Sequence, residues 1–221
     1  MLRFVFFDVG NTLTFADTRL TLGPLLEAGY SPAPDDLYAA ERAAKLHLDA
    51  ALAESPNARV DHDYWNIYHA NLVRRLGAPE SLVPDLVKAT RVSGRWNQVL
   101  PGTRELLQDL HRRGHRLGVI SNSDGRIAEL LAGIGLGDLF DATTDSALVG
   151  HEKPHPAIFR AALESLSAAP ESSVYVGDIY SVDYLGARSV GMNAILMDVC
   201  GAYRDRGLPR IEALEELPAL L

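Results

Sequence analysis

One cysteine, Cys200, is all that 221 residues contain. No disulfide can form within the chain, and a reducing compartment suits it. No stretch reaches the roughly 18 uninterrupted apolar residues of a membrane-spanning helix. Positive charge is scarce: 21 Lys and Arg stand against 29 Asp and Glu, a net charge of −8. This argues against nucleic acid as a partner, because binding a phosphate backbone needs a basic surface. Internal repeats and low-complexity tracts are absent. The opening run Leu2-Arg3-Phe4-Val5-Phe6-Phe7 is too short for a signal-peptide core and ends in Asp. The expected setting is the cytoplasm, away from membranes. What the chain does have is 47% hydrophobic residues. That is enough to bury a sizeable core, as one domain with a large insertion or one domain plus a small one.

Apolar strand-like runs fall at Leu2–Phe7, Arg116–Ile120, Val174–Val176 and Ala194–Met197, with a weaker one near Phe140–Thr144. Helical patterns lie between them. Ile127, Leu130, Leu131 and Ile134 repeat at helical spacing, and Gly135 stops the run. Pro156 suits a first helical turn. This alternation predicts an α/β protein with a Rossmann-like, doubly wound parallel sheet covered by helices on both faces. Ligands of such sheets sit at the carboxyl ends of the strands. Residues 17–95 carry no clear strand. Leu37–Ala53, Tyr64–Leu76 and Leu82–Val92 read as helices, with turns at Ser55-Pro56-Asn57 and Gly77-Ala78-Pro79. The predicted division is a core of residues 1–16 and 96–221, interrupted by a helical insertion, 17–95.

Four segments carry chemistry. In Phe7-Asp8-Val9-Gly10-Asn11-Thr12 an Asp ends a buried strand just before a sharp turn, where a carboxylate can act as a nucleophile. Ile120-Ser121-Asn122-Ser123-Asp124 brings a hydroxyl and turn N–H groups to the same rim, suited to a phosphate oxygen. It also fits an ordinary strand followed by a helix cap from Ser123 or Asp124. In His151-Glu152-Lys153-Pro154 a restrained ammonium can offset repulsion between a carboxylate and a phosphoryl group, although a solvated loop lysine is the plainer role. Val176-Gly177-Asp178 places a carboxylate at a strand tip, with Asp183 five residues on. Grouped oxygen ligands of this kind suit Mg²⁺. Asp183 by itself also fits the stabilisation of a helix N-terminus.

Together, in this order, the segments resemble the haloacid dehalogenase-like (HAD) hydrolase superfamily. The resemblance covers nearly the whole chain outside the insertion. It implies that Asp8 is the nucleophile, Lys153 its charge-balancing partner, and Ser121 with Asn122 and Lys153 the phosphate-binding group. It implies a Mg²⁺ site of Asp8, the Gly10 carbonyl, Asp178 and Asp183. It also matches Thr12 to a family threonine and residues 17–95 to a helical cap.

One position departs from the pattern. Most family phosphatases carry a general-acid Asp two residues after the nucleophile, and here Gly10 stands there. The implied activity is a Mg²⁺-dependent phosphatase acting on a small phosphorylated metabolite through an aspartyl-phosphate. Cleavage of a carbon–halogen or carbon–phosphorus bond is an alternative within the superfamily. A halide needs no proton, and the carbon–phosphorus route resembles chemistry that uses a cap lysine, for which the insertion offers Lys45 and Lys88. A non-catalytic phosphate-binding protein is a third reading. Arg42, Lys45, His47, His62 and His69 are candidates in the insertion to replace the missing proton donor, each against the plainer expectation of a solvated helix face. Oligomeric state and substrate identity are not legible.

Overall fold

The computed structural model describes residues 2–54 and 63–221. The expected turn at Ser55-Pro56-Asn57 and the candidate His62 lie outside the described residues. The chain opens with β1 (Phe4–Phe7), β2 (Thr14–Phe15), α1 (Thr18–Thr21) and α2 (Gly23–Glu27). Helices α3 (Pro34–Glu54), α4 (Asp63–Arg75) and α5 (Val83–Thr90) follow, then β3 (Gln98–Val99), α6 (Thr103–Arg112) and β4 (Arg116–Ser121). Next come α7 (Ile127–Gly133), β5 (Ala142–Asp145), α8 (Ser146–Val149) and α9 (Pro156–Ser165). The last elements are β6 (Ser173–Gly177), α10 (Leu185–Ser189), β7 (Asn193–Met197) and β8 (Arg210–Ile211).

Six strands form one parallel sheet in the order β5-β4-β1-β6-β7-β8. The centre is β1, which pairs Phe7 with Val119 on one side and with Val176 on the other. Val5 and Phe7 pack into one apolar cluster with Leu107, Leu110 and Leu131. Phe4 and Phe6 pack into a second cluster with Phe159, Ile158 and Ala187 on the opposite face. A strand covered on both faces reads as a continuous apolar run, which is why this element is legible in the sequence. The chain fills one side of β1 first and then crosses to the other. That reversal is the place where parallel sheets open a crevice for ligands.

Helix α6, which the alternation of strand-like runs does not reveal, buries Leu107 and Leu110 on the first cluster. It ends where Gly114 takes φ +90°, a conformation that favours glycine. The helices α1 to α5 carry apolar clusters of their own, one of which joins Leu25, Val73 and Leu86. Where the chain leaves the sheet and where it returns, the two-residue strands β2 and β3 pair antiparallel, Thr14 with Val99 and Phe15 with Gln98.

Candidate active site

Asp8 follows β1 directly, and its N–H donates to the Val176 carbonyl at 2.8 Å. The chain then turns at once. The Val9 carbonyl accepts from the N–H groups of Leu13 and Thr14, both at 2.9 Å. The turn is completed by Asn11 in the left-handed region at φ 53°, which Asn tolerates better than most side chains. Lys153 Nζ donates to Asp8 Oδ1 at 2.7 Å, to Asp183 Oδ1 at 2.9 Å and to Tyr175 Oη at 2.8 Å. Its three protons thus have three partners in the protein interior. Burial opposes the charge on Lys153, yet the carboxylates of Asp183 and Asp8 outweigh it and hold the ammonium above the ordinary lysine range. Asp8 is pushed up to about 7, chiefly by burial; Lys153 pulls against this, and the nearby charges of Asp183 and Asp178 add to it.

Asp178 and Asp183 enter from the end of β6. A five-residue π-turn, Tyr180–Tyr184, swings Asp183 back toward the sheet. Gly177 is required there: a Cβ on it would lie 2.6 Å from Asp183 Cγ. Asp183 Oδ2 accepts from the N–H groups of Asp178 at 3.1 Å and Ile179 at 2.9 Å, while Oδ1 faces Lys153. Both oxygens of Asp183 are therefore engaged in holding the site together. One carboxylate oxygen each from Asp8, Asp178 and Asp183 lies within 4.8 Å of the others, all three residues being buried. An all-oxygen set of this size is compatible with Mg²⁺.

Ser121 ends β4 and lines the same cavity as Asp8, Gly10, Asp178 and Lys153. Asn122 sits beside it, but its side chain is committed. Asn122 Oδ1 accepts from the Lys153 N–H at 2.7 Å, and Nδ2 donates to the Lys153 carbonyl at 3.1 Å. The Asn122 amide thus clamps the lysine loop. At the start of α7, Asp145 accepts from the N–H groups of Gly125 and Ile127, and Asp124 takes the Arg126 N–H between them. Asp124 and Ser123 also bind Ser93 Oγ.

Residues 2–191 match the family model for haloacid dehalogenase-like hydrolases. The chain belongs to that family. Among relatives, the haloacid dehalogenase-like hydrolase domain-containing protein 3 of Bos taurus is 36% identical over 141 residues, 62% of this chain and 56% of the relative. The chain therefore spans just over half the length of that relative. The glyceraldehyde 3-phosphate phosphatase of Methanothermobacter thermautotrophicus is 32% identical over 209 residues, 90% of this chain and 86% of that protein. A solved HAD phosphatase from Thermococcus onnurineus is 26% identical with a TM-score of 0.62, covering 99% of this chain and 97% of that one.

Within this HAD site, Gly10 is roofed by an aromatic ring. A Cβ on Gly10 would lie 3.1 Å from Trp96 Cε3 and Cζ3. The helical insertion supplies the upper wall of the cavity, with Tyr64, Trp65, Tyr68 and Leu72 from α4 and Glu41 and Lys45 from α3. The candidates named from the insertion fare differently. His47 is exposed, as is Lys88, and Arg42 Nε donates to the Cys200 carbonyl at 2.8 Å. His69 is buried on the cavity wall. Its Nδ1 meets the Trp65 carbonyl at 2.8 Å and its Nε2 meets Thr90 Oγ1 at 2.9 Å. Burial lowers its pKa to about 4.

Lys45 corrects the expectation of a solvated helix face. It is 4% exposed, and its Nζ lies 2.7 Å from Asp178 Oδ2 and 3.0 Å from the Asp178 carbonyl. The site also contains groups that the sequence reading does not single out: Tyr175, Trp96 and Glu41. A signal for the α3 groups was present, since Glu41, Lys45 and Asp49 recur every four residues beside the apolar stripe Ala40, Ala44 and Leu48. A charged row at that spacing, next to a buried row, marks a face that meets something polar.

Proposed function

We propose that this HAD hydrolase is a Mg²⁺-dependent phosphatase acting on a small phosphorylated metabolite through an aspartyl-phosphate on Asp8. The observation that carries this reading is the state of the Asp8 carboxylate. Oδ1 is held by Lys153 at 2.7 Å, while Oδ2 accepts no hydrogen bond among the described residues. In this reading Oδ2 attacks phosphorus and the bond from phosphorus to the ester oxygen breaks. That oxygen leaves with a proton taken from solvent or a substrate group. Water then splits the acyl phosphate and regenerates Asp8. Lys153 offsets repulsion between the attacking carboxylate and the phosphate. Ser121 and the N–H groups of the turn at Asn122 bind phosphate oxygens.

The oxygen donors suit a divalent ion. Asp8, Asp178 and the Gly10 carbonyl would hold Mg²⁺, with Asp183 orienting them, and the ion would supply charge stabilisation for the phosphoryl group. Residues 17–95 are read as the cap over the cavity, whose wall is lined by Tyr64, Trp65 and Tyr68. Two relatives that are phosphatases by name, from Methanothermobacter thermautotrophicus and Pyrococcus furiosus, support the reading. Among the described residues no helix is long and apolar enough to cross a membrane. The net charge of −8 argues against a nucleic-acid partner, and a cytoplasmic setting without membrane partners is part of this proposal.

The test is hydrolysis of an activated aryl phosphate with Mg²⁺ or with EDTA, run on the parent and on Asp8→Asn. Turnover is expected only for the parent with Mg²⁺. Equal turnover by a folded Asp8→Asn protein would remove Asp8 from the mechanism.

A further inference from the structure

We infer that Lys45 is an internal competitor for the divalent cation: its ammonium holds Oδ2 of the Asp178 carboxylate, and a metal ion that takes this oxygen does so against the lysine. The inference rests on the Mg²⁺ assignment above but goes beyond it, since it concerns a residue of the helical insertion.

Lys45 and Asp178 are 133 residues apart in sequence and both are buried, with side-chain exposures of 5% each. The contact is two-pronged: Nζ reaches Oδ2 at 2.7 Å and the backbone carbonyl of the same residue at 3.0 Å. Asn11 Nδ2 donates to the same Oδ2 at 3.2 Å. Oδ2 of Asp178 thus faces a positive charge and a second donor. A divalent ion on this carboxylate would sit beside the ammonium in a site with little water to screen the repulsion. The ammonium and the ion therefore compete for Oδ2, the oxygen that Lys45 holds.

The position of Lys45 is built rather than incidental. Helix α3 meets the sheet's loops along one stripe at helical spacing. Arg42 Nε donates to the Cys200 carbonyl at 2.8 Å, and Asp49 Oδ1 accepts from the Ser181 N–H at 3.0 Å. Arg206 Nη2 stands 3.5 Å from Asp49 Oδ2. Lys45 lies between Arg42 and Asp49 on this stripe, so the docking of α3 delivers its ammonium to Asp178. The stripe therefore has one member whose partner is wanted by the metal, and cation binding and the placement of Lys45 oppose each other.

The experiment measures Mg²⁺ affinity by titration calorimetry on the full chain. It compares the parent, Lys45→Met, Lys45→Arg and the double variant Lys45→Met with Asp178→Asn. Met keeps the length of the side chain and removes the charge. Lys45→Met should bind Mg²⁺ at least tenfold more tightly than the parent, Lys45→Arg should stay as weak as the parent, and the double variant should lose the gain. Mg²⁺ should also raise the melting temperature of Lys45→Met more than that of the parent, because a ligand stabilises in proportion to the logarithm of its occupancy ratio. If Lys45→Met fails to fold, Lys45→Gln is read in the same way. An affinity within twofold of the parent, or weaker, with Asp178 still required for binding, would overturn the competition and leave the metal site standing. Absence of Mg²⁺ binding in every protein would overturn both.

Discussion

Restoring a carboxylate at Gly10 tests the chemistry of the candidate site most directly. The obstacle is not backbone conformation, since Gly10 is absent from the positions with positive φ. It is the ring of Trp96, which a Cβ would meet at 3.1 Å. Ordinary contact begins near 3.4 Å, so the ring must yield by a few tenths of an ångström. Trp96 is also anchored, its Nε1 donating to the Thr90 carbonyl at 2.8 Å. Trp96→Leu loses that bond, about 1 kcal/mol, and part of the ring's packing besides. A positioned general acid is worth roughly 10²–10⁴-fold, or about 3–5 kcal/mol of barrier. It acts on an alkoxide leaving group, which needs a proton, far more than on an activated aryl oxide, which does not. The assay is therefore a ratio: alkyl-phosphate over aryl-phosphate turnover, measured for the parent, Gly10→Asp, and Gly10→Asp with Trp96→Leu, each checked by thermal melting. The ratio should rise in Gly10→Asp and rise further in the double variant, where the ring no longer crowds the new side chain. A folded double variant with the parent's ratio would refute the idea that Gly10 marks a missing proton donor.

Two further expectations concern stability. His69 is held near pKa 4 in the folded protein against 6.5 when exposed, so the unfolded chain binds more protons between those values. His69 should contribute a loss of up to about 3 kcal/mol as pH falls from 6.5 to 4, opposite in sign to the gain from Asp8, whose pKa is raised in the folded protein; the parent should therefore lose more stability, or gain less, than His69→Gln across that window, and identical pH dependences would contradict the burial argument. Leu107 is fully buried against the sheet, and Leu107→Ala should cost about 2–5 kcal/mol in urea unfolding. A loss below 1 kcal/mol would show that α6 repacks freely.

Much of the catalytic core is legible from local pattern. Each predicted strand run contains most of an observed strand, because a strand covered on both faces must be apolar throughout. Asp8, Ser121 and Asp178 stand out because each polar residue falls where such a run stops. The partners inside the site are less legible. Tyr175 reads as one more apolar strand position, yet its hydroxyl meets Lys153 at 2.8 Å. Asn122 reads as a phosphate ligand from its place beside Ser121, yet its amide grips the backbone of Lys153. Asp145, which caps α7, lies 18 residues from the N–H of Ile127 that it serves, and no local signal joins them.

The sequence by itself determined the order of the five main sheet strands and of most helices between them, the family, and the identity of the core residues at the sheet's carboxyl edge. All of these follow from hydrophobic period and from short motifs whose members are neighbours in the chain. Only the tertiary structure decided which insertion residues reach the site, since a helix surface presents several faces and its sequence does not say which one meets the core. Docking of α3 turned Lys45 from a surface lysine into the partner of Asp178. The packing of the segment before β3 set Trp96 over Gly10 for the same reason: contacts between residues far apart in the chain are chosen by how whole elements pack, not by the residues next to them.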